Sequence, residues 1–149
     1  MNYINQLLNN KALLAAFTAW FTAQFIKIII NLIQEKRIDF SLIMSSGGMP
    51  SSHSSTVCAL GVMVWKLCTP ASVEFAIAVV FAFIVMYDAA GVRRAAGEQA
   101  KVLNRIVEDL AKRKTEYMEK NLKELIGHTP FQVIIGALLG IVIGIAFPI

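Results

Sequence analysis

Four stretches of the chain are apolar enough to read as bilayer-crossing helices. Residues 12–34 run for 23 positions with one charge, Lys27, and clear the ~20 residues that hydrocarbon requires. Residues 54–67 make a shorter run of 14, extended to 18 if it begins at Pro50, with Lys66 near its end. Residues 71–87 give 17 positions with Glu74 near the start, and residues 130–149 give 20 with no charge at all. Between the third and fourth runs, Leu103, Ile106, Val107, Leu110, Tyr117, Met118, Leu122 and Leu125 recur at helical spacing among charges. That pattern predicts an amphipathic helical segment over residues 98–125, lying on a membrane face or capping the bundle. The predicted fold class is all-α: an integral membrane helical bundle of about four transmembrane helices plus a cytoplasmic amphipathic segment. Nothing marks a second domain, so residues 1–149 read as a single membrane domain.

Charge placement supports this. Of 24 charged residues, 16 fall between Asp88 and Glu124, leaving 8 for the other 112 positions. Charged residues are 16% of the chain, against about 25% in soluble domains, and mean hydropathy is +0.61. A soluble bundle is the competing reading. The last run argues against it, because Gly136, Gly140 and Gly144 stripe one helix face. Glycine weakens helices in water, but in lipid it lets two helices approach closely.

Four spans place both long loops on one side. That side holds 11 basic residues: Lys36, Arg37 and nine between Arg93 and Lys123. The other holds Lys11 and Lys66. The positive-inside rule makes the loop-rich side cytoplasmic, with both termini outside, in the plasma (inner) membrane. The net charge of +4 then suits anionic lipid; no nucleic-acid motif accompanies it. Cys58 and Cys68 form no C-x-x-C pair and read as small core residues.

The candidate chemistry sits at two loop-to-helix junctions on the cytoplasmic side. The first reads Ser45, Ser46, Gly47, Gly48, Met49, Pro50, Ser51, Ser52, His53, Ser54, Ser55. Pro50 suits a first helical turn, and Gly47 and Gly48 free backbone N–H groups to face an anion at a helix N-terminus. A phosphate cradle and a plain helix cap fit this run equally well. The second junction is Gly127-His128-Thr129-Pro130, with Thr129 as cap and Pro130 as helix start. His53 and His128 are the chain's two histidines, and both precede or open a helix on one membrane face. Asp88, Arg93 and Arg94 end the third span; arginine holds phosphate bidentately, although headgroup anchoring explains at least one of the pair.

The runs Gly47–Ser54, Tyr87–Arg94 and Gly127–Pro130 together resemble the divergent branch of the type 2 phosphatidic acid phosphatase superfamily, related to acid phosphatases and vanadium-dependent haloperoxidases. The resemblance spans about Gln24 to Gly140. In the parent superfamily a Pro-Ser-Gly-His motif contacts phosphate and supplies a general acid; Pro50-Ser51-Ser52-His53 matches it, with serine in place of glycine. A later parent motif supplies a nucleophilic histidine and, four residues on, an aspartate that orients it. His128 matches the nucleophile, Gln132 stands at the aspartate position and Leu122 at an arginine position. The first parent motif, a lysine six residues before Arg-Pro, is missing; Lys27 and Arg37 are the nearest candidates.

The resemblance implies a phosphatase acting on a lipid or isoprenoid phosphate through a phosphohistidine. The implied catalytic residues are His128, His53 and Asp88. The implied substrate-binding residues are Gly47, Gly48, Ser51, Ser52, Arg93, Arg94 and Lys27. No metal or other cofactor is implied; the partners are membrane lipid and the phosphorylated substrate. Two other classes remain: a membrane protein that binds or transports a phosphate-bearing ligand without catalysis, and a small scaffold whose glycine stripe packs against itself or a partner. Four short spans offer little wall around a site, which leaves room for a homo-oligomer.

Overall fold

A computed structural model describes residues 2–36, 48–91, 97, 99, 102–107 and 128–149. Among them all regular structure is helical: α1 (Tyr3–Leu8), α2 (Lys11–Glu35), α3 (Ser52–Leu67), α4 (Val73–Ala90) and α5 (Pro130–Ala146). Side chains start most of these helices. Asn10 caps α2, Ser51 caps α3, Ser72 caps α4 and Thr129 caps α5, each accepting a backbone N–H of the first turn. Pro50 falls before the α3 cap rather than in its first turn, because Ser51 takes the cap position. The short α1 was not evident from the apolar pattern. Of the amphipathic stretch expected over 98–125, residues 99 and 102–107 are described and helical; the remainder lies outside the described residues.

The packing is inverted relative to a water-soluble bundle. Ala15, Ala19 and Ala23 recur every fourth residue of α2 and are fully buried, as is Ala59 on α3. On the opposite side of α2, Phe17, Phe21 and Phe25 are 58–64% exposed. Small residues fill the interior and large apolar ones face out along α2, α4 and α5. Water would penalise such a surface strongly, whereas hydrocarbon solvates it. The protein is an integral membrane helical bundle. By length and composition α2 and α4 each qualify as spans; α3 and α5, with 16 and 17 residues, are shorter and pack beside them.

α3 is the central helix, bounded by α2, α4 and α5. Its seam with α5 is made of small residues. Added Cβ atoms at Gly136 and Gly140 would collide with the backbone carbonyls of Ser51 and Ser55, and one at Gly144 would lie 2.7 Å from Val62 Cβ and 3.1 Å from the Ala59 carbonyl. Ser51, Ser55 and Ala59 thus face Gly136, Gly140 and Gly144 in the same order. Both sets step by four residues, so the helices run parallel with their N-termini side by side. Hydrogen bonds fix the register: Ser51 N–H donates to Gln132 O at 3.1 Å, and Ser55 Oγ donates to Gly136 O at 2.9 Å. At the far end Lys66 Nζ donates to the carbonyls of Gly144, Ile145 and Phe147 at 3.3, 3.1 and 2.6 Å. It therefore satisfies the last turn of α5 rather than facing Glu74. The glycine face is used within the chain. Cys58 is half-buried, whereas Cys68, at the α3 C-cap, is exposed rather than in the core.

Candidate functional site

Parallel packing of α3 and α5 brings both histidines to one end of the seam. His53 occupies the first turn of α3, and His128 immediately precedes the α5 cap. Their ring centroids are 6.1 Å apart, with the planes at 65°. His128 is 1% exposed, and His53 is half-buried. Two helix N-termini converge on this point. Each carries roughly half a positive charge, so the field there favours an anion.

His128 is oriented through the α5 cap. Thr129 Oγ1 accepts from Gln132 N–H at 3.3 Å, and Gln132 Oε1 accepts from Thr129 N–H at 3.0 Å, a reciprocal capping box. The same Oε1 lies 3.4 Å from His128 Nδ1. That contact assigns the proton to Nδ1 and leaves the lone pair on Nε2. Gln132 thus does locally what the sequence resemblance ascribes to an aspartate, but without its charge.

The serines divide into two roles. Ser51, fully buried, is committed to structure: its Oγ accepts from Ser54 N–H at 3.4 Å and from Ser54 Oγ at 3.0 Å. Ser52 turns toward α2, where Lys27 Nζ donates to its Oγ at 3.4 Å. Lys27 is 3% exposed, a lysine drawn from a membrane helix to the first turn of α3. An intramembrane lysine held in this way is a functional candidate by default. Gly48, at φ +86°, lets the chain pass close to the Lys27 stem: an added Cβ there would lie 3.7 Å from Lys27 Cδ. Asp88 is half-buried in the last turn of α4, which packs chiefly on α3 rather than on α5. Gly47, Arg93 and Arg94 lie outside the described residues.

A polar cleft of about 330 Å³ opens beside the histidines, lined by Lys27, Asn31, Gln34, Thr129 and Gln132, with Gly48 at its edge. Its wall shares Gln132 with the His128 contact and Lys27 with the Ser52 contact. Sequence reasoning singled out Lys27 but missed Asn31 and Gln34. Gln24, Lys27, Asn31 and Gln34 follow one another by three, four and three residues, so one face of an otherwise apolar span is polar. That spacing was the available signal. Among the described residues no group of three or more His, Cys, Asp and Glu side chains is arranged to hold a metal ion.

The family model described as the divergent PAP2 family matches residues 8–143. A relative in Bacillus subtilis (strain 168), named "Uncharacterized membrane protein YuiD", is 43% identical over 148 residues, covering 93% of this chain and 94% of its own. No solved structure matches the chain.

Proposed function

The chain belongs to the divergent PAP2 family, and we propose that it is a phosphomonoesterase that hydrolyses a lipid or isoprenoid phosphate at the cytoplasmic face of the plasma membrane. The observation that carries this reading is the pairing of His53 with His128, ring centroids 6.1 Å apart, where two helix N-termini converge. Reacting atoms approach to about 3–3.5 Å, so two imidazoles at this separation suit contact with one phosphoryl group from two sides.

His128 Nε2 attacks phosphorus while the bond from phosphorus to the alcohol oxygen breaks. His53, as imidazolium, gives its proton to that leaving oxygen. Water then passes a proton to His53 and attacks the phosphohistidine, releasing inorganic phosphate and restoring His128. Lys27, Ser52 and the N–H groups at the start of α3 hold the phosphoryl oxygens and offset developing charge. Gly48 keeps the approach to Lys27 open, and Gln132 fixes the His128 tautomer. Arg93, Arg94 and Gly47 supply further anion contacts, and Asp88 a supporting carboxylate. Ser51 serves this site by holding the α3 N-terminus in place.

One observation favours a second reading. Gln132 is neutral and already accepts from Thr129 N–H, so it brings no charge to an imidazolium at His128. A protein that binds a phosphate-bearing ligand without turnover would tolerate this. Phosphate release by the purified protein from a panel of lipid and isoprenoid phosphates separates the two. The phosphatase reading expects release that is lost in both His128→Ala and His53→Ala. Ligand binding without release by the folded wild-type protein would favour the second reading.

A further inference from the structure

A second opening lies on the other side of α3. It is an apolar groove of about 420 Å³ between α3 and α4, lined among others by Val57, Cys58, Gly61, Phe83, Met86 and Ile141. Its near end is Val57, one helical turn beyond His53, and it continues along α3 past Gly61 to Trp65. His53, Val57 and Gly61 follow at four-residue steps, so the groove starts about 6 Å along the helix from the catalytic imidazole. Cys58 Sγ and Met86 Sδ, 3.8 Å apart, connect its two walls.

Gly61 is the informative residue. Glycine inside a helix is destabilising, so it calls for a reason. At Gly136, Gly140 and Gly144 the reason is visible, because a Cβ would strike α3. At Gly61 an added Cβ would meet nothing within 4 Å. No contact within the chain requires a glycine there; its effect is to deepen the groove wall. The groove is apolar, runs toward the opposite membrane face, and has the phosphoryl site at its head. That is the layout of an amphiphile whose phosphate sits at the interface and whose tail enters hydrocarbon.

We infer that the α3–α4 groove seats the hydrocarbon chain of the phosphate ester whose headgroup meets His53 and His128, with Gly61 as the residue that admits it. The substrate is thus a long-chain alkyl or isoprenyl phosphomonoester, recognised by its chain as well as its phosphate. This inference rests on the phosphatase reading for the headgroup.

Two measurements separate its failure from failure of that reading. The first is the ratio of kcat/KM for dodecyl phosphate over that for phenyl phosphate, in wild type and Gly61→Leu. Filling the groove lowers the ratio about tenfold, the loss of roughly two methylene contacts. An unchanged ratio in an active Gly61→Leu protein overturns the inference while leaving the phosphatase reading intact. The second needs no turnover: maleimide labelling of Cys58 in phosphatidylcholine vesicles, with exposed Cys68 as internal reference. Dodecyl phosphate slows labelling of Cys58 relative to Cys68, and inorganic phosphate and dodecanol do not. Equal slowing by dodecanol, or none by dodecyl phosphate, overturns the inference. Protection by dodecyl phosphate without phosphate release would sustain the groove and sink the phosphatase.

Discussion

Gly140 lies against the backbone carbonyl of Ser55, with no room between them for a methyl group. This contact sits at the middle of the seam that holds α3 and α5 parallel, and the seam is what brings His53 to His128. Packing and site geometry are therefore one problem in this protein. A change far from either imidazole moves the site if it opens the seam.

Gly140→Ala is expected to destabilise the protein by about 1–3 kcal/mol, since backbone rather than a flexible side chain must yield. Gly61→Ala, where the added methyl meets open space, should be neutral or stabilising by up to about 1 kcal/mol. Denaturant titration in detergent micelles checks both. Equal effects at the two positions would mean that the seam is not packed as described.

Lys66→Met removes the donor to three carbonyls at the end of α5. Backbone amides of the last turn should exchange faster, by a factor set by about 1–3 kcal/mol, while amides near Thr129 are unchanged. Hydrogen exchange read by mass spectrometry resolves the two ends of the helix.

Thr129→Ala breaks the capping box that also seats Gln132. It should cost about 1 kcal/mol of stability. Gln132→Ala should lower kcat about tenfold with little change in KM, the worth of roughly one hydrogen bond to the His128 ring. A larger effect on KM than on kcat would place Gln132 on the substrate instead.

Lys27→Met keeps the apolar stem and removes the charge. Binding of orthovanadate, a phosphate analogue, should weaken about ten- to a hundredfold, in line with the ~1.5–3 kcal/mol of a charged hydrogen bond. Isothermal titration of the purified protein measures it. Unchanged affinity would remove Lys27 from the anion site.

Much of this architecture was legible in the sequence. The apolar runs located the helices, and Ser51, Thr129 and Pro130 marked two of their starts. The glycine stripe announced a close helix contact. What it contacts was not legible, because Ser51, Ser55 and Ala59 are unremarkable until paired with the glycines in three dimensions. The resemblance of short motifs named both histidines, yet their proximity depends on α3 and α5 being parallel, which no local pattern encodes. Lys27 stood out as a charge in an apolar span, but its partner Ser52 comes from another helix. Asn31 and Gln34 were passed over because amides at a span's end look like its boundary; only their alignment with Gln24 and Lys27 marks a polar face. The positions of Gly47, Arg93 and Arg94 lie outside the described residues, so the rest of the expected anion cradle stands on motif alone.

The most direct test of the central claim is a rapid-quench search for phosphate on His128 during turnover of a long-chain phosphomonoester. The account predicts an acid-labile, base-stable phosphoryl group on the peptide containing His128, absent from His128→Ala. Turnover with no such intermediate, or full turnover by His128→Ala, would contradict it.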